Sequence, residues 1–144
     1  MEFTIQPARN SQLPQVSALL ASQQLPVNDF DPSLKGFWLA SHNNSLVATA
    51  ALEVYGHYGL LRSVATDPAY RNRGAAAALT AQLLEEARLQ GLSAVYLVTT
   101  SAKDYFAGKG FREADRATLP EAILQSGQLQ SVCPASATVM VKEI

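Results

Sequence analysis

AYRNRGAAAALTAQLLEEARLQG, residues 69–91, places two cations just ahead of a glycine and four consecutive alanines. Leu79, Leu83 and Ala87 continue an apolar stripe begun at Ala76, with Ala77, Ala81 and Leu84 beside it. Glu85, Glu86 and Arg88 fall mostly outside that stripe, so the segment reads as an amphipathic helix. Gly91 sits just past its end as a C-cap. The first turn of a helix carries backbone N–H groups without partners, and the macrodipole adds partial positive charge there. Gly74 has no Cβ and Ala75 to Ala78 have little beyond one, so an anion could dock on those donors, with Arg71 and Arg73 on its approach. The same residues also fit a tightly packed alanine-rich helix following a basic loop.

Upstream, Phe3 to Gln6 alternates as a short strand. Asn10 or Ser11 can cap a helix to about Leu20, with Leu13, Val16, Leu19 and Leu20 on one face. Residues 22–33 are polar and carry Pro26 and Pro32, which predicts a loop. A meander follows: a strand over Gly36 to Ser41, a turn at His42-Asn43-Asn44, and a long strand over Ser45 to Tyr55. A turn at residues 56–59 leads to a third strand, Leu60 to Thr66, which Asp67-Pro68 ends. In the long strand, alternation sets Ala51, Glu53 and Tyr55 on one face and the core on the other. Downstream, Ala94 to Thr100 reads as a buried strand. Ala102 to Lys109 reads as a short helix, Phe111 to Arg116 as a strand, Pro120 to Leu129 as a helix, and Thr138 to Glu143 as a last strand. The predicted fold class is α+β in α/β/α layers: a mixed, mostly antiparallel sheet of about seven strands with helices on both faces.

The chain has 144 residues, which predicts a single domain over residues 1–144 with a core that needs neither disulfide nor metal. Hydrophobic residues make up 48% and charged residues 16%, and the net charge is −1, which argues against a general nucleic-acid or membrane-surface binder. No apolar run approaches the roughly 18 residues that span a bilayer. The first ten residues lack a basic region followed by an apolar stretch, so no secretory signal is expected. Cys133 is the only cysteine, which fits a reducing, cytoplasmic setting. His42 and His57 lie in predicted turns, and no cluster has metal-ligand spacing, so no metal is expected.

The segment LLRSVATDPAYRNRGAA, residues 60–76, resembles the cofactor motif of the GNAT acetyltransferase superfamily. That motif is a strand ending before proline, then Arg/Gln-x-x-Gly-x-Gly/Ala. TTSAKDYFAGKGF, residues 99–111, is similar to a second element of the superfamily, Asn-x-x-Ala-x-x-x-Tyr-x-x-x-Gly-Phe, aligning Thr99, Ala102, Phe106, Gly110 and Phe111. The resemblance covers about residues 3–116. It implies acetyl-coenzyme A as co-substrate, with its pyrophosphate on the backbone of Arg71, Asn72, Arg73, Gly74, Ala75 and Ala76. The pantetheine arm would run along Val64, Ala65 and Thr66, and Thr99, Ala102 and Phe106 would face the cofactor. It also implies a sheet splayed between its fourth and fifth strands. A narrower likeness, carried by LLRSVAT, YLVTTSAKDYFAGKGF, ADRATLPEAI and CPASATVM, is to the arsenic-resistance N-acetyltransferase group, and suggests an arsenic-related acceptor.

In this superfamily a neutral amine attacks the thioester directly. A backbone N–H near Val64 or Ala65 would polarise the carbonyl. Glu53, which interrupts an apolar run, is the candidate base, working through water; an exposed edge position is the alternative. The superfamily's acid is a Tyr, and Phe106 stands at its place; Tyr105 is adjacent but about 100° away on a helix. Either the helix is shifted by one residue or the thiolate leaves without an acid. Arg62 is a cation inside an apolar strand. It reads as a clamp for an anionic group of the acceptor, or as a salt-bridge partner of Glu53. The loop QQLPVNDFDP, residues 23–32, could lie over the acceptor or be plain surface. Trp38 and Phe37 read as strand packing, and Cys133 as a core residue. The expected partner is a small-molecule amine, with no nucleic acid and no membrane, in a monomer or homodimer. The competing function is a non-catalytic acyl-coenzyme-A sensor.

Overall fold

The computed structural model of the protein describes residues 2–126 and 137–144. Strands β1 (Thr4–Pro7), β2 (Phe37–His42), β3 (Ser45–Tyr55), β4 (Tyr58–Thr66), β5 (Ala94–Thr99), β6 (Arg112–Glu113) and β7 (Thr138–Glu143) form a seven-stranded mixed sheet in the order β1-β2-β3-β4-β5-β7-β6. Helices α1 (Leu13–Ser22), α2 (Ala75–Leu89), α3 (Lys103–Ala107) and α4 (Glu121–Leu124) are interleaved with them. The chain divides into two compact units, Met1–Leu52 with Arg62–Glu85, and Glu53–Leu61 with Glu86–Ile144.

In the first unit β1 and β2 pair antiparallel, Thr4 opposite Ser41 through Pro7 opposite Trp38, and β2 pairs antiparallel with β3, with an irregularity between Ala40 and Ser41. The two-residue turn at Asn43 and Asn44 has both residues left-handed, φ 51° and 64°, which asparagine tolerates and a tight hairpin requires. The core of this unit gathers Val16, Leu20, Leu34, Phe37, Leu39, Ala51 and Ala65, with Leu13, Leu19, Leu25 and Phe30 packed against it. Gly36 is obligatory there. Its φ is +83°, and a Cβ would lie 2.3 Å from the Leu52 carbonyl oxygen, the strand whose N–H donates to the Gly36 carbonyl at 3.0 Å.

In the second unit the start of β4 pairs parallel with β5, Tyr58 opposite Ala94 through Leu61 opposite Leu97. The parallel pairing ends there, although β4 runs on to Thr66 and β5 to Thr99. β5 pairs along its length with β7, and β7 with the two residues of β6. Phe106 of α3 is buried, its ring 5.8 Å from that of Phe111.

Several local expectations are corrected. Neither Asn10 nor Ser11 caps α1. A 3-10 turn over Asn10–Gln12 precedes it, and the Gln12 side chain accepts the Arg9 N–H at 2.8 Å. α3 is shorter than expected because Gly108 and Gly110 end it. β6 stops at Glu113, since the Asp115 carboxylate accepts the Ala117 N–H at 2.9 Å and turns the chain. α4 ends at Leu124, with Gln125 as its C-cap; residues 127–129 of the expected helix lie outside the described residues, as does Cys133. The expectation that only the face opposite Ala51 meets the core also fails: Val47 to Leu52 are all buried, Ala51 included, while Val54 on the opposite face is 47% exposed.

Candidate active site

β4 changes character in its middle. Arg62 is buried, 5% exposed, in a strand otherwise lined by Leu60, Leu61 and Ala65. The next residue, Ser63, has φ +56°, a left-handed residue within a strand, which costs a non-glycine roughly 1 kcal/mol. Its carbonyl accepts the hydroxyl of the fully buried Thr49 at 2.8 Å, so the kink has a fixed, desolvated partner. Beyond it Ala65 returns to the core while Val64 and Thr66 are half-buried.

The turn after β4 is built by local hydrogen bonds. The Asp67 carboxylate accepts the Ala69 N–H at 2.9 Å at the head of a 3-10 turn, Pro68–Tyr70. Asn72 (φ 62°) and Gly74 (φ 92°) are left-handed, and α2 starts at Ala75. Arg71, Asn72, Arg73 and Gly74 are all exposed, and nothing lies within 4 Å of where a Gly74 Cβ would be. The buried line of α2 is Ala75, Leu79, Leu83 and Ala87, one residue off the expected stripe at its start. Ala76 and Ala77 are half-buried and Ala78 exposed, so the alanine face turned from the core is accessible. A bare helix start with two nearby guanidinium groups fits a diphosphate. The Arg71 guanidinium donates to the side-chain oxygen of Gln23, next to the end of α1.

Arg62 has a partner that sequence reasoning named only as part of a loop. Its Nη2 lies 2.5 Å from Asp29 Oδ1, with side-chain exposures of 3% and 17%. Nη1 donates to the Asp29 carbonyl at 3.1 Å, and Nε to Ser63 Oγ at 3.2 Å. The guanidinium carbon stands 5.8 Å from the centre of the Phe30 ring. Asp29 Oδ2 is buried and accepts no hydrogen bond. The loop is well held: Asp31 Oδ1 accepts the Ser33 N–H at 2.9 Å, and Phe30 packs on Phe37 at 4.9 Å. The Ser33 backbone and side-chain donors keep the Asp31 carboxyl below its ordinary range. A lone arginine in an apolar strand was the available signal that a buried acid must exist elsewhere.

The other residues singled out in the sequence lie in the second unit. Glu53 is half-buried, and its Oε1 accepts the Tyr55 hydroxyl at 3.0 Å. Thr99 Oγ1 accepts the Ala102 N–H at 2.9 Å, fixing the start of α3. Phe106 is turned into the core, whereas Tyr105 is 40% exposed. Desolvation raises the Tyr105 phenol above its ordinary range, so it stays protonated at neutral pH, and Lys109 Nζ lies 5.5 Å from its ring centre. Among the described residues no group of His, Cys, Asp or Glu could hold a metal ion, and no helix is long and apolar enough to cross a membrane.

This chain belongs to the acetyltransferase (GNAT) family, whose sequence profile matches residues 6–111. Over 127 residues it is 25% identical to an amino-acid acetyltransferase of Neisseria meningitidis, a match that covers 82% of this chain and 29% of that protein. The chain therefore spans less than a third of the length of that curated relative. The fold is shared with the N-acetylglutamate synthase of Neisseria gonorrhoeae, solved with coenzyme A and N-acetyl-glutamate. That structure gives a TM-score of 0.84 at 22% identity, covering 99% of this chain and 35% of the other. A Mycobacterium tuberculosis protein solved with CoA and NLQ gives 0.83 at 21% identity, covering 98% and 99%.

Proposed function

We propose that residues 1–144 form one acetyltransferase domain that moves an acetyl group from acetyl-coenzyme A to the amine of a small, amino-acid-like acceptor. The observation that carries this reading is the exposed turn Arg71–Gly74 leading into an alanine-faced helix start. In this reading the backbone from Arg71 to Ala76 holds the pyrophosphate, and Val64, Ala65 and Thr66 take the pantetheine arm as an added strand. In this reading Thr99 and Ala102 face the cofactor, while Phe106 is buried in the core beside Phe111. A backbone N–H at Val64 or Ala65 polarises the thioester. Glu53, steadied by the Tyr55 hydroxyl, accepts the proton through water, and the protonated Tyr105 phenol is the candidate acid for the leaving thiolate. Arg62 acts on the acceptor through the carboxylate that it holds. The curated relative's description as an amino-acid acetyltransferase supports this acceptor class.

Thiol release from acetyl-coenzyme A, measured across the common amino acids and an organoarsenical amine, tests the proposal. Saturable release with an amino acid supports it, and turnover confined to the arsenical redirects the acceptor to the narrower resemblance. Tight coenzyme A binding without any turnover would leave the sensor reading, which the buried Phe106 at the acid's place favours.

A further inference from the structure

Asp29 is the residue this fold sets aside in a way its own structure does not explain. One carboxylate oxygen, Oδ1, is committed to Arg62 at 2.5 Å. The other, Oδ2, is buried and has no hydrogen-bond partner. A buried unsatisfied acceptor is costly, and more so when it belongs to an ionised group. Folded chains rarely keep such an atom without a use.

The surroundings narrow that use. A carboxylate oxygen only accepts, so its missing partner must donate N–H or O–H. Arg62 is held in place by Asp29 itself through two bonds and by Ser63 through a third. These bonds orient the carboxylate, and the next residue, Phe30, packs on Phe37. Ser63 stands immediately before Val64 and Ala65, so the ion pair is anchored to the strand segment assigned above to the thioester. An amine acceptor is an ammonium in neutral water and carries three N–H donors.

Resting on the acceptor reading above, we propose that Asp29 Oδ2 receives the ammonium of an α-amino acid, and that Arg62 is the positioning residue that aims it. The amine is then recognised in its charged form before a separate base removes the proton. The ammonium makes a charge-assisted hydrogen bond to Oδ2, whereas the neutral hydroxyl of a hydroxy acid makes only a weaker one. The site thus discriminates amino acids from their hydroxy-acid counterparts.

The test uses three pairs: L-alanine and L-lactate, L-glutamate and 2-hydroxyglutarate, L-phenylalanine and phenyllactate. Their binding is measured by calorimetry on the full chain saturated with coenzyme A. The wild type should prefer at least one amino acid over its hydroxy acid by about tenfold or more. In Asp29→Asn, which keeps an oxygen for Arg62 but loses the charge, that preference should fall to within about threefold, with coenzyme A affinity unchanged. Asp29→Glu should restore part of the preference if the carboxylate, not the fold, is what counts. A merely structural Asp29 would weaken both members of a pair alike and leave their ratio untouched, and that result overturns the assignment. Wild-type binding of coenzyme A but of none of the three amino acids overturns the amino-acid reading itself, and this assignment with it.

Discussion

Replacing Gly74 by valine separates conformation from contact at the start of α2. The φ of +92° is a region that L side chains rarely adopt, and a β-branched side chain fits it worst. That strain costs about 1–2 kcal/mol. No atom lies within 4 Å of the new Cβ, so no clash adds to it. For a chain of this length, such a loss lowers the melting temperature by only a few degrees, and the protein stays folded. Cofactor binding should suffer differently. The two valine methyls would stand on the exposed approach to the helix start, where a diphosphate needs the backbone N–H groups bare. Calorimetric titration of coenzyme A should then show at least a tenfold weaker dissociation constant, about 1.4 kcal/mol. Gly74→Ala is the necessary companion, since it carries much of the backbone strain but little of the obstruction. The expected order is small loss for alanine and large loss for valine, with less difference between their melting temperatures. Unchanged affinity in folded Gly74→Val, or equal losses in both variants, would refute the argument that the open space above Gly74 receives the cofactor.

At Gly36 the balance is reversed, because a Cβ would sit 2.3 Å from the Leu52 carbonyl oxygen. Gly36→Ala should destabilise by more than about 2 kcal/mol in urea unfolding, and an unchanged midpoint would contradict the packing described. Arg62→Met removes the cation beside a buried carboxylate and should cost about 3–5 kcal/mol, much of it recovered when Asp29→Leu is added, in a double-mutant cycle read by denaturation. Tyr96 and Tyr105 both have phenols raised by burial, Tyr96 additionally by Tyr58. The folded state therefore keeps those protons to higher pH than the unfolded chain. The linkage is absent below the ordinary phenol range near 10, and stability falls as pH climbs above it. The pair Tyr96→Phe and Tyr105→Phe should flatten that alkaline decline in thermal melts, and an identical slope would show that other groups cause it.

What could be read in advance was what the chain encodes locally. The helix start at residue 75 follows from glycine, alanine spacing and a proline-terminated strand, all within a dozen residues. β3 and β7 match their expected limits because turn residues and charge punctuate them. Ser63 gave no warning, since serine is unremarkable in a strand and its left-handed φ is imposed by tertiary contacts such as the Thr49 hydroxyl. The Arg62–Asp29 pair joins residues 33 positions apart. The sequence holds 12 acidic residues, and no short-range rule selects one of them as the partner. The one-residue error on α2 has a similar origin: four alanines in a row offer no size difference by which to phase the helix. The exposed turn and small-residue helix start were thus legible, because backbone and small residues build them. The Arg62–Asp29 pair was not, because it depends on which distant side chains meet.

The bond from Arg71 to Gln23 joins the turn before α2 to the first residue of the loop that carries Asp29. A diphosphate, with one negative charge on each of its two phosphates, competes well for a guanidinium against a neutral amide. If the diphosphate claims Arg71, the Gln23 contact is the one surrendered, and the loop loses one of its moorings. Thermodynamic reciprocity then applies in both directions. Whatever free energy cofactor loading adds to or subtracts from acceptor affinity, acceptor binding must return to cofactor affinity in equal measure. Gln23, which touches neither substrate in this scheme, would set the size of that exchange.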